Sequence, residues 1–172
     1  LNEALEGYSK GRVFGDIGCY TLSATPPLES INSTVDMGAS ITMAIGASEA
    51  GLDPVVAVIG DSTFTHSGMT GLLDAVNNNN NITVMILDNS TTGMTGGQKS
   101  SAEGRIESIC KGLGVDPDHI RVIKPLMNQH EENVNVIKEE LAYKGVSVIV
   151  PRRECIQTLN RRMRAKKAAE KK

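Results

Sequence analysis

The stretch Val55-Val56-Ala57-Val58-Ile59-Gly60-Asp61-Ser62-Thr63-Phe64-Thr65-His66-Ser67-Gly68 decides the fold. Five apolar residues, most of them β-branched, run without polar alternation and stop abruptly at Gly-Asp. A run apolar at every position is a strand buried on both faces, the signature of a parallel sheet covered by helices. The same grammar returns in Ile82-Thr83-Val84-Met85-Ile86-Leu87, followed by Asp88-Asn89-Ser90-Thr91-Thr92-Gly93-Met94-Thr95-Gly96-Gly97-Gln98. Val146–Val150 is a third such run, and Arg12–Phe14 and Ile120–Ile123 are shorter candidates.

Helical patterns fill the intervals. Met69, Leu72, Leu73 and Val76 are spaced i, i+3, i+4, i+7, as are Ile106, Ile109, Cys110 and Leu113. Val134, Ile137 and Leu141 follow more loosely, and Gly38–Ala50 reads as a helix of small residues able to pack close to a sheet or a ligand. The Asn77–Asn81 run sits where a helix must end and a strand begin, so a turn is expected there. Strands alternating with helices form right-handed βαβ units. The fold class expected is α/β, a doubly wound, mainly parallel sheet with helices on both faces.

Composition bounds the function. The 172 residues fit one domain, and with only 3 % aromatics the core must come from Val, Ile, Leu, Met and Ala. A net charge of −2 excludes a basic nucleic-acid surface over the whole chain. No apolar run approaches the ~20 residues of a membrane span, and no signal peptide opens the sequence, so no membrane association is expected. Cys19, Cys110 and Cys155 are odd in number and far apart, which fits a reducing cytoplasm rather than a disulfide framework. Three thiols are also too few for an iron–sulfur cluster bound by this chain alone. The first residue is Leu1 rather than Met, as expected of a fragment or processed subunit. From Arg161 to Lys172 seven Lys/Arg face one acid, a net +6 against −8 for the residues before. This divides the chain into a domain over 1–160 and a basic C-terminal helix or tail over 161–172, solvated or docking toward a further segment.

In open parallel sheets, ligands bind beyond the carboxyl ends of the strands. Both loops that follow the long apolar runs are rich in Gly, Ser and Thr and carry an acid at the strand end. That composition offers amides and hydroxyls to phosphate oxygens and hard oxygens to a cation. Asp61 and Asn89, at the ends of two candidate neighbouring strands, together with a loop carbonyl would suit Mg²⁺; alternatively, both are helix N-caps. A helix expected to begin near Ser67-Gly68 would add its positive end. Neither a Walker A pattern nor Gly-x-Gly-x-x-Gly is present, which removes the P-loop and leaves a nicotinamide site without motif support.

Gly60-Asp61-Ser62 followed by a strand ending in Asn89 resembles the thiamine-diphosphate signature. With "GDSTFTHSG", "LDNSTTGMTGGQ", "GDIGCYTLSATPPL" (Gly15–Leu28) and "MGASI" (Met37–Ile41), the stretch from Arg12 to Arg153 is similar to the thiamine-diphosphate domain of the α subunit in the indolepyruvate:ferredoxin oxidoreductase family. The resemblance implies Mg²⁺ on Asp61, Asn89 and the Thr91 carbonyl, with Gly60 at the turn before them. It implies diphosphate contacts from Ser62, Thr63, Thr92, Gly93 and Thr95, with Met94 beside the cofactor or filling the core. Gly18, Cys19, Tyr20 and Thr21 would line the thiazolium, and Met37, Gly38, Ala39 and Ser40 the middle of the cofactor. His66 would act as a catalytic group, in proton transfer or in orienting the substrate carboxylate; alternatively it stands behind the groups that touch the substrate, or merely begins a helix. Cys19 is alternatively a small buried hydrophobe, Asp88 a brace for its loop, and His119 and His130 solvated surface residues.

The implied reaction is oxidative decarboxylation of an arylpyruvate, a 2-oxoacid, to acyl-CoA. Coenzyme A and ferredoxin would act through the full complex, and the iron–sulfur clusters would lie on a partner chain or missing module. Such enzymes also need a Glu for the aminopyrimidine ring from a second domain, so a dimer or hetero-oligomer, or a removed N-terminal half, would complete the site. Two departures stand near the thiazolium side: Asp36 where a Cys is expected and Ser23 where a Gly follows "TL". Two alternatives stay open: a subunit of a non-oxidative decarboxylase of the sulfopyruvate or phosphonopyruvate type, and a non-catalytic protein of the same fold.

Overall fold

A computed structural model of the protein describes residues 1–169. Six strands form one sheet in the order β2-β1-β3-β4-β8-β7, and every pairing is parallel. They are β1 (Val13–Gly15), β2 (Ser33–Thr34), β3 (Val56–Gly60), β4 (Ile82–Leu87), β7 (Ile120–Ile123) and β8 (Val146–Pro151). Two further two-residue strands, β5 (Thr91–Thr92) and β6 (Gln98–Lys99), pair antiparallel outside the sheet. The helices are α1 (Ala39–Glu49), α2 (Asp61–Thr63), α3 (Met69–Asn77), α4 (Ile106–Gly112), α5 (His130–Ala142) and α6 (Ile156–Ala169).

The continuous apolar runs have the expected cause. On β3, β4 and β8, Ala57, Ile59, Val84, Ile86, Val148 and Val150 pack with residues of α1, α3 and α4. Their sequence neighbours Val56, Val58, Met85 and Ile149 pack on the opposite face with Val134, Ile137 and Leu141 of α5. Strand side chains alternate between faces, so two covered faces require apolar residues at both parities. The sheet is therefore doubly wound, as expected, with three helices on one face and α5 on the other.

The asparagine run ends α3 as anticipated: Asn79 takes φ +52°, and the Asn80 amide bonds back to the Ala75 carbonyl. The helix expected to begin near Ser67-Gly68 instead begins at Asp61. It continues from α2 through a π-helical turn, Phe64–Gly68, into α3. That wide turn sends Phe64 fully into the core and leaves His66 exposed. Neither of the two remaining histidines is simply solvated. His119 Nδ1 lies 2.9 Å from a carboxylate oxygen of Glu140, a 2 % exposed residue, and its ring stacks on Tyr143 at 3.4 Å. His130 pairs with Glu3 at 2.7 Å. The basic C-terminal stretch is helical as α6 from Ile156 onward, while residues 170–172 of it lie outside the described residues. No helix among the described residues is long and apolar enough to cross a membrane.

Candidate functional site

The chain crosses the sheet between β2 and β3, so the strand order reverses at the β1/β3 boundary, where crossovers leave in opposite directions and open a crevice. Three loops converge there, one each from the carboxyl ends of β1, β3 and β4.

Asp61 follows β3 directly and is 3 % exposed. Its Oδ1 accepts from the Ser62 amide at 2.6 Å, while Oδ2 is buried with no hydrogen-bond partner among the described residues. Burial, and then the nearby charge of Asp88, push the Asp61 carboxyl above its ordinary value; the Ser62 and Ser90 amides and the Ser100 hydroxyl offset only part of this. An uncompensated buried carboxylate oxygen is costly, and a hard cation is the natural partner for it. Asp61 is not a helix N-cap, because Gly60 holds that position and Asp61 is the first helical residue. Asn89 is not one either: its Oδ1 accepts from the Thr91 amide at 2.9 Å within the loop, and Ser90 between them sits at φ +59°. Such left-handed backbone at a non-glycine residue persists only where its surroundings enforce it. They do: Asp88 accepts from Arg152 Nε at 2.6 Å, and Arg152 forks onto Glu107 at 3.0 and 2.7 Å. Asp88 thus braces the loop.

The hydroxyls meet as well. Ser62 Oγ lies 2.9 Å from Thr92 Oγ1 and 3.2 Å from Ser100 Oγ. Beside them opens a cleft of about 450 Å³, lined by Met37, Ser62, Thr63, Thr65, His66, Thr92, Lys99 and Ser101. That volume is within the ordinary range for a small-molecule site. Lys99, Ser100 and Ser101 escaped the sequence reading, since the β5–β6 hairpin folds them back onto the loop.

The β1 loop is fixed by its own polar groups. Thr21 Oγ1 accepts from the Gly18 amide at 2.8 Å and donates to the Asp16 carbonyl at 2.6 Å. The Tyr20 hydroxyl accepts from the Gly60 amide at 2.9 Å, tying the β1 loop to the turn before Asp61. Burial raises the Tyr20 pKa further, so the phenol stays neutral. Cys19 is exposed rather than buried, and its Sγ would be 3.7 Å from a Cβ on Gly93. Asp16, which the sequence reading also missed, is fully buried and caps α1 by accepting from the Ser40 amide at 2.7 Å. The signal was present, an acid directly after a strand, as at Asp61. At the mouth of α1, Gly38 takes φ +101°, and a Cβ there would lie 2.2 Å from Ser67 Oγ. Ala39 follows as the first residue of α1. Met94 is 69 % exposed and outside the cleft lining, and Thr95 donates its hydroxyl to Gln98 Oε1 at 2.8 Å.

Comparison with known proteins gives one family model, described as the thiamine pyrophosphate enzyme, C-terminal TPP binding domain, matched over residues 16–150. An indolepyruvate oxidoreductase subunit IorA from Archaeoglobus fulgidus is 39 % identical over 151 residues, covering 81 % of this chain and 24 % of that protein. Its namesake from Pyrococcus abyssi is 37 % identical over 164 residues, covering 81 % and 25 %. The chain therefore spans about a quarter of the length of these curated relatives. Among solved structures, a 2-oxoglutarate:ferredoxin oxidoreductase from Magnetococcus marinus superposes with a TM-score of 0.70 at 16 % identity, over 89 % of this chain and 58 % of that one. A 4-hydroxybenzoylformate decarboxylase from Rhodococcus jostii RHA1 gives 0.61 at 20 %, over 88 % and 31 %. At these identities the structural likeness speaks to the fold alone.

Proposed function

The chain belongs to the thiamine pyrophosphate enzyme family, as its C-terminal TPP binding domain, and from that premise we propose that it is the thiamine diphosphate and Mg²⁺ binding portion of a 2-oxoacid:ferredoxin oxidoreductase acting on an arylpyruvate such as indolepyruvate. The observation that carries the cation is the buried, unpartnered Oδ2 of Asp61 at the strand switch point. The choice of substrate leans on the relatives named indolepyruvate oxidoreductase.

In this reading Asp61, Asn89 Oδ1 and the Thr91 carbonyl hold Mg²⁺ against the diphosphate. The hydroxyls of Ser62, Thr63 and Thr92, the Gly93 amide, and the amides at the head of the helix that opens at Asp61 receive the phosphate oxygens, while Thr95, its hydroxyl held by Gln98, supports the loop tip. Gly18 to Thr21 and Met37 to Ser40 flank the rest of the cofactor, with Gly60 setting the turn and Met94 the outer edge. When bound, thiamine diphosphate supplies the electron sink that lets a 2-oxoacid lose its carboxylate. His66, exposed on the π turn and lining the cleft, holds or moves a proton at a ring nitrogen or orients the substrate carboxylate.

The remainder of the site comes from another chain or domain, which supplies the Glu for the aminopyrimidine ring and the iron–sulfur clusters that reach ferredoxin and coenzyme A. Exposed Leu22, Val35, Met37 and Met94 in the loops beyond the strand ends support such a dimer or hetero-oligomer. Free thiols at all three cysteines support a cytoplasmic setting.

Titration calorimetry with thiamine diphosphate tests the reading. Binding should require Mg²⁺, and the chain alone should not turn over phenylpyruvate. Tight binding in the presence of a chelator would overturn the cation assignment, and absence of any binding would overturn the cofactor assignment.

A further inference from the structure

The segment after β8 grips the Asp88–Lys99 loop at both ends. At the base, the Arg153 amide donates to the Asp88 carbonyl at 2.9 Å and Arg152 Nε to the Asp88 carboxylate at 2.6 Å. At the tip, Arg161 Nη1 in α6 donates to the Gly96 carbonyl at 3.2 Å. Gly97, at φ +84°, lies beneath α6, where a Cβ would be in ordinary contact with it, 3.6 Å from Arg161 Nη1 and 3.7 Å from Thr158 Oγ1.

The loop needs an outside hold. Its hairpin consists of two strands of two residues each, too short to stand alone, and its turn contains two consecutive glycines at positive φ. Within it, the Gly97 amide donates to the Thr92 carbonyl at 3.1 Å, and Thr92 Oγ1 meets Ser62 Oγ at 2.9 Å. Ser62 in turn donates its amide to Asp61 Oδ1. A continuous series of hydrogen bonds therefore runs from α6 to the carboxylate proposed as metal ligand. The helix itself, IQTLNRRMRAKKAA, has no acid, and its Ile156 and Met163 are exposed rather than packed, so packing alone does not explain its place.

We infer that α6 is a latch on the glycine-rich loop, with Arg161 as a positioning residue that holds Gly96 and Gly97 in the conformation that brings Thr92 to Ser62. The link to cofactor affinity rests on the function proposed above; the link to loop order does not.

Amide hydrogen exchange on the full chain without ligand separates these, with Arg161→Ala and Arg161→Lys beside the wild type. One charge-assisted hydrogen bond at an exposed site predicts about five- to tenfold faster exchange over residues 93–99 in Arg161→Ala, with β3 and β4 unchanged. Lysine keeps one donor within reach of the Gly96 carbonyl and should restore most of the protection. Calorimetry should show thiamine diphosphate with Mg²⁺ weakened by a similar factor in Arg161→Ala. Wild-type exchange over 93–99 in Arg161→Ala would overturn the latch, as would acceleration spread equally over the central strands or failure of lysine to rescue. If the loop responds but the wild type binds no thiamine diphosphate, the latch stands and the cofactor reading falls.

Discussion

Asp61→Asn should move stability in opposite directions with and without cofactor. The substitution keeps the shape and the Oδ1 that accepts from Ser62 at 2.6 Å, but removes the charge from a buried oxygen without a partner. The new amide nitrogen can donate to the Ser100 hydroxyl already beside that carboxyl. An unsatisfied buried polar group costs about 1–3 kcal/mol, so the ligand-free variant should gain up to that amount, several degrees in Tm for a chain of this length. With thiamine diphosphate and Mg²⁺ the sign reverses. Losing one partner of a buried charge pair costs about 3–5 kcal/mol, or two to three and a half orders of magnitude in Kd. Scanning calorimetry with and without ligand should therefore show the two melting curves exchange order.

The pH dependence supplies a second check on the same variant. Burial raises the Asp61 pKa in the folded chain above its ordinary 3.8, so the folded state holds the proton more tightly than the unfolded one. Ligand-free wild type then loses stability as pH rises through the folded-state pKa, and its deficit relative to Asp61→Asn is complete above it. The advantage of the variant should be largest at neutral pH and close as pH falls toward 3.8. A ligand-free variant less stable than wild type at neutral pH, or one that binds the magnesium complex equally well, would refute the assignment of Asp61.

Three further substitutions probe the supports of the site. Arg152→Ala strands Asp88, which is 2 % exposed, and should cost about 2 kcal/mol after allowance for the arginine's partial exposure, read as a lower urea midpoint at unchanged slope. Because Arg152 holds the Glu107 carboxyl below its ordinary 4.5, that pair stabilises the wild type above pH 4.5 and is lost as pH falls through the lowered value; the variant should lack this loss. Tyr20→Phe keeps the ring but removes the acceptor for the Gly60 amide, so about 1 kcal/mol of stability should go, with the Gly60 amide exchanging faster by hydrogen-exchange measurement. Gly38→Ala meets Ser67 Oγ at 2.2 Å and a backbone at φ +101°; a loss of at least about 1 kcal/mol is expected, and Ser67→Gly in the same chain should recover the steric part while leaving the backbone strain.

What the sequence made legible follows from how each feature is encoded. Burial on two faces writes itself into consecutive residues, so β3, β4 and β8 could be read from single runs, and with them the positions of Asp61 and Asn89 just beyond the strand ends. The early helix start could not, because the π turn at Phe64–Gly68 adds a residue to the repeat and breaks the 3.6-residue spacing before Met69 restores it. β2, β5 and β6 are two residues long and paired through backbone, which leaves no side-chain pattern at all. The other omissions share one cause: Arg152 lies 64 residues from Asp88, Ser100 is 38 from Ser62, and Arg161 is 65 from Gly96. Local pattern reveals which loop ends offer side-chain oxygens, but the groups that hold those loops still come from distant turns and are disguised as ordinary surface charge. Arg161 illustrates the consequence, since within a run of seven cations it reads as a solvated face, yet its guanidinium meets the backbone two residues before Gln98. The site proposed on this open sheet thus has two layers of different legibility: polar residues fixed by strand ends, and a restraining layer that exists only once the chain has folded.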